Sequence, residues 1–190
     1  ANAMVGMLIF PVLAYAFAFA EDMVSIVYTE AYIEAAPVMR LYILSLCAFV
    51  VELVSIMMLL REGPFAFKLN LMLIGVSVGL SWYGAHHFGL AGAAMGSVVT
   101  VYADRLVTLL RISRRTGIPM RKLQDWSALG RLLLCACAAG ALAWSVTDHY
   151  FFVSGHLSRL VIGGLVLAAT YGLCLLLLSG KRKPFAFSFN

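Results

Sequence analysis

Six stretches of the chain are apolar almost without interruption: Met4–Tyr28, Val38–Leu60, Leu69–Ala85, Leu90–Leu110, Leu132–Val146 and Leu157–Leu178. Most approach the ~20 residues that a helix needs to cross the hydrocarbon core of a bilayer, and the fifth is the shortest. The strict alternation of a closed barrel is missing, and an uncovered strand edge in lipid would leave backbone groups unpaired, so the pattern predicts helices. The expected fold is an all-α membrane protein, with about six transmembrane helices in one unit over residues 1–180 and a cytoplasmic tail over 181–190.

Within these runs the polar residues fall on stripes. At 100° per residue, Pro11, Tyr15, Ala18, Asp22 and Ser25 share a face of the first helix. Ser45, Ala48, Glu52 and Ser55 share one on the second, and Asn70, Ser77, Ser81 and Gly84 on the third. Gly89, Ala93, Ser97, Thr100, Asp104 and Thr108 do so on the fourth. Lipid penalises such stripes, so they are expected to face protein or a water-filled cavity. The fifth and sixth helices carry no comparable stripe and read as peripheral. Pro11 removes a backbone donor and crowds the carbonyl of Met7, which predicts a bend there.

Depth sorts the charges into two tiers. Glu52, Asp104 and Arg105 lie at similar heights in the inner half, and Glu21 and Asp22 are level with Arg40 in the outer half. Charges in a membrane mark a substrate or ion path, or a pair that holds helices together, and both readings stand for Glu52 and Asp104. For Glu21, Asp22 and Arg40, anchoring at the interface competes with a role in a cavity. Arg105 either snorkels inward or pairs with Glu52.

The connections supply orientation. Arg61, Lys68, Arg111, Arg114, Arg115, Arg121, Lys122, Arg131, Lys181, Arg182 and Lys183 make up eleven of the 14 basic residues, and all fall on one side of the predicted topology. The positive-inside rule puts that side in the cytoplasm, with both termini. The segment from Arg111 to Lys122 is expected to lie against anionic lipid headgroups. All four histidines, His86, His87, His149 and His156, then belong in or beside the outer loops.

Composition agrees with the pattern. Hydrophobic residues make up 63% of the chain and charged residues 12%, too few polar groups to cover a soluble domain of this size. The net charge of +5 is spread over short connections rather than gathered in a patch, which argues against nucleic acid as a partner. Cys47, Cys135, Cys137 and Cys174 lie inside apolar runs and read as reduced packing residues. No metal-ligand cluster, phosphate-binding loop or activated nucleophile is recognisable, so neither an enzyme nor a cofactor is expected. The first apolar run lacks the basic start of a signal peptide, and the opening residue Ala1 raises the expectation of a fragment.

Two stretches carry a family resemblance. Tyr32-Ile-Glu-Ala-Ala-Pro-Val-Met-Arg40 opens the second helix, and Phe88-Gly-Leu-Ala-Gly-Ala-Ala-Met-Gly96 opens the fourth. With the Pro11 helix before them, they resemble the C-terminal lobe of a bacterial polysaccharide flippase of the O-antigen (Wzx) type, in the superfamily of lipid II flippases and MATE exporters. The resemblance implies two six-helix lobes rocking about a central cavity in the inner membrane, lined in part by this lobe's first two helices. It implies a polyprenyl-pyrophosphate-linked oligosaccharide as substrate, with Arg40 the first candidate for its phosphates. A single lobe requires either the missing N-terminal lobe or a second copy. A MATE-type drug exporter and a non-transporting scaffold or subunit of glycan synthesis are the alternatives.

Overall fold

The computed structural model describes residues 2–51, 53–150 and 155–180. The described chain is helical: α1 (Asn2–Ala18), α2 (Ala20–Tyr28), a 3-10 turn (Glu30–Ala35), α3 (Ala36–Phe49), α4 (Val54–Leu59), α5 (Gly63–Thr116), α6 (Met120–Leu123), α7 (Trp126–Tyr150) and α8 (His156–Gly180). Four helical stretches, within Glu30–Phe49, Gly63–Thr116, Trp126–His149 and His156–Leu177, are long and apolar enough to cross a membrane, and the bent pair α1–α2 makes a fifth.

The 54-residue α5 is not straight. Gly89 breaks it with φ 64° and ψ −147°, a conformation that only glycine adopts without strain. Arms 63–88 and 90–116 fold back on each other, because Gly84 and Gly92 lie backbone to backbone and Gly96 lies against Ser81. A Cβ at either Gly84 or Gly92 would collide with the other's carbonyl, so the crossing depends on the absence of side chains. Gly92-x-x-x-Gly96 therefore packs as its spacing suggests. Gly75 and Gly79, by contrast, have no atom within 4 Å of where a Cβ would stand.

The bend in the first helix is displaced from its expected position. α1 runs through Pro11, and the 72° change of direction comes between Ala18 and Ala20. Pro11 leaves the Met7 carbonyl without its usual donor, and the Tyr171 hydroxyl of α8 donates to that oxygen at 3.0 Å. With the carbonyl satisfied, the helix has less reason to open there. The bend instead buries Phe19 completely, its ring against Gly163 of α8.

The main core also departs from the stripe argument. Phe10 and Phe19 of α1 and its bend pack with Leu129, Ala136, Ala139 and Ala143 of α7 and Leu167 and Tyr171 of α8. The two helices expected at the periphery are thus the centre of the bundle. Their small residues let them approach closely, so they need no polar stripe to be buried. The helix left on the outside is the first arm of α5, where Leu71, Met72, Ile74, Val78 and Trp82 are all exposed.

A second cluster closes one end of the bundle. Leu53, Met57, Leu109 and Ile112 pack there, with Met120 and Leu123 of α6 laid across them. α4 ends in a paired turn, with Arg61 N–H donating to Met58 and Glu62 N–H to Met57. Arg61 sits at φ 55°, in the left-handed position that closes such helix ends. That turn delivers Glu62 to the start of α5.

Candidate functional site

Charged groups gather at three levels of the bundle. At the end opposite α6, Asp22 in the first turn of α2 is 5% exposed. Its Oδ1 lies 2.7 Å from Nδ1 of His156 and 3.7 Å from Nη1 of Arg159, both in the first turn of α8. Arg159 reaches Asp148 of α7 with Nη2 at 3.4 Å, while its Nε is buried with no hydrogen-bond partner among the described residues. Nε2 of His156 is 4.0 Å from Glu30, which is largely exposed. One buried carboxylate thus ties the start of α2 to α8, and Arg159 extends the tie to α7.

Arg40 lies one turn into α3 at the same end. Its Nη2 meets Glu21 at 3.0 Å, its Nε donates to the Phe17 carbonyl at 3.3 Å, and its guanidinium lies over the Phe17 ring. Two of its donors are therefore committed to α1 and α2. Glu21 thus pairs with Arg40, and Asp22 turns away to α8.

The middle level holds Asp104 and Arg105 on the second arm of α5. The guanidinium of Arg105 lies 4.4 Å from the centre of the Phe49 ring. Among the described residues its buried Nε has no hydrogen-bond partner and no carboxylate pairs with it. Asp104 is half-buried and likewise has no ion-pair partner among the described residues. Glu52, the third member expected here, lies outside the described residues. Its span breaks between Phe49 and Val54, so α3 and α4 are separate helices. Nearby, the Tyr102 hydroxyl donates to the Leu44 carbonyl at 2.8 Å and joins the second arm of α5 to α3.

At the α6 end, Glu62 is 7% exposed and accepts from Nε and Nη2 of Arg111 at 3.2 and 3.0 Å. Arg115 Nε pairs with its other oxygen. The Arg111 hydrogen bonds, helped by the charges of both arginines, hold the Glu62 carboxyl below the usual carboxylate range, against the opposing effect of desolvation. Arg111 also stacks on Phe65 at 4.5 Å. The three residues clasp the two arms of α5 at their open end.

Neither clasp was singled out from the sequence. His156 lies 134 residues from Asp22, and only the tertiary fold brings them together. A signal was present in Arg159, one of the few basic residues away from the basic connections, and in Glu62, the one acid between Arg61 and Lys68. No group of three or more His, Cys, Asp or Glu among the described residues is placed to hold a metal ion. Compared with family models, curated proteins and solved structures, the chain gives no match.

Proposed function

We propose that this chain is one lobe of a flippase that moves a polyprenyl-pyrophosphate-linked oligosaccharide across the bacterial inner membrane. The observation that carries the reading is Arg105, a cation within an apolar helix, stacked on Phe49 and paired with no described carboxylate. Charge at such depth is costly, so an ionisable residue there is read as functional by default. A pyrophosphate headgroup needs donors that replace its hydration during transfer, and a guanidinium supplies them in a fork that fits phosphate.

In this reading the two arms of α5 are separate crossings, which with α1–α2, α3–α4, α7 and α8 makes six. The basic connections face the cytoplasm, and the segment from Arg111 to Lys122 rests on anionic headgroups. Arg40 receives the phosphates in the outer half, after Glu21 has given up its hydrogen bond. Asp104 and Glu52 line the same path. The missing N-terminal lobe, or a second copy, completes the cavity.

Complementation of a flippase-deficient strain with the full-length protein tests this, with membrane levels followed in parallel. Arg105→Ala and Arg40→Ala should each abolish glycan export at normal expression. The lysine variants should recover part of it, because a point charge binds phosphate without the bidentate fork. Full export by both alanine variants would remove the arginines from the path. It would leave the scaffold reading, in which these charges only hold helices together.

A further inference from the structure

The end of the bundle that carries Asp22 has a charge imbalance that its ion pairs do not remove. Three carboxylates meet there, from Asp22 on α2, Glu30 on the 3-10 turn and Asp148 on α7. Among the described residues of this cluster the cationic side is Arg159 and, when protonated, His156, both on α8, while Arg40 of α3 at the same end is taken by Glu21. α1 contributes Tyr15, whose hydroxyl is already donated to the Leu160 carbonyl at 2.7 Å. Asp22 is the most enclosed of the carboxylates, and an enclosed carboxylate needs a charged or donating partner at close range. Its nearest partner is the His156 ring at 2.7 Å, with Arg159 an ångström farther away.

We propose that His156 and Asp22 form a proton-binding pair that fastens the start of α2 to α8. With the proton bound, the ring presents an N–H at each end, one to Asp22 and one toward Glu30, and carries the charge that offsets them. With the proton lost, one ring nitrogen becomes an acceptor, Glu30 loses its charged neighbour, and among the described residues Arg159, shared between Asp22 and Asp148, is the cation left in the cluster. Repulsion within the cluster then favours separation of α2 from α8. The 72° bend between Ala18 and Ala20 sets α2 off from α1 as a separate nine-residue helix. This device is independent of what the protein transports.

The test is a pulsed-EPR distance between spin labels at Val27→Cys and Leu157→Cys, two exposed positions on α2 and α8. The chain is held in lipid nanodiscs, with the four native cysteines replaced by alanine. The distribution should shift to longer distances as the pH is raised from about 5 to about 8, the range over which an unperturbed histidine changes charge. His156→Gln keeps an amide donor for Asp22 but takes no proton, and it should lose the shift. His86→Gln should keep it. A second measurement uses the chain with its native cysteines, labelled with 15N-histidine. The ring signal missing from His156→Gln should titrate with the same midpoint as the distance change. A distance that does not move with pH, or one that still moves in His156→Gln, would overturn the proposal.

Discussion

At Met7 one backbone carbonyl shows how single residues set this fold. Pro11 denies it the amide donor four positions on, and the Tyr171 hydroxyl takes that place from another helix. The proline effect was legible from the sequence, but its compensation was not, because the partner lies 164 residues away. Tyr171→Phe should destabilise the chain by about 0.6 kcal/mol and at most about 1.7 kcal/mol, the range for side-chain hydrogen bonds in membranes. In a Pro11→Ala background the backbone amide is restored, so the same substitution should cost less. A double-mutant cycle by reversible unfolding in micelles measures the difference, and additive costs would mean that the hydroxyl does not replace the missing amide.

Glu62 carries a pH dependence of definite sign. Its folded pKa lies below its unfolded value because Arg111 and Arg115 favour the charged form. The clasp therefore adds stability that is present above the ordinary glutamate pKa of about 4.3, and it is lost as pH falls through the lower folded value. Thermal unfolding of the wild type should show this loss below about pH 4.3, and Glu62→Gln should remove that part of the profile. Arg111→Ala should weaken the clasp more than Arg115→Ala, since the Arg111 hydrogen bonds are the larger influence on the carboxyl.

Among the elements, the α5 hairpin and the α7–α8 pair yielded to sequence reasoning in opposite ways. A loop at His86–Gly89 was expected from the apolar pattern, and Gly89 makes the reversal without interrupting the helical run on either side by more than one residue. Gly92 and Gly96 after the turn share a four-residue spacing with Gly75 and Gly79 before it, and spacing alone does not tell the packed glycines from the open ones. Gly84→Ala should cost about 1–3 kcal/mol, because its methyl meets backbone that cannot move aside, whereas Gly75→Ala should be neutral or slightly stabilising. Equal effects at the two sites would mean that the arms do not cross at Gly84. For α7 and α8, polarity misled. Ala136, Ala139 and Ala143 are buried by close approach, which leaves no amphipathic trace in a helix apolar on every face.

For the whole molecule, composition and hydropathy were enough to identify a helical membrane protein, because both measure the solvent the chain must face. Sequence position along the helices did not indicate the partners of the charges: Glu21 pairs with Arg40, but Asp22 went to His156 and Arg159. The central claim is that the two arms of α5 each cross the membrane and return the chain to the basic side. Single-cysteine accessibility in intact cells, read with a membrane-impermeant thiol reagent, tests it most directly at Gly63, His86 and Gly117 in a cysteine-free background. The account predicts that His86→Cys, beside the Gly89 turn, is labelled from outside, as are Glu34→Cys and Gly155→Cys, while Gly63→Cys and Gly117→Cys react only after the membrane is opened. Labelling of Gly63 and Gly117 from opposite sides, or of His86 from the same side as both, would contradict it.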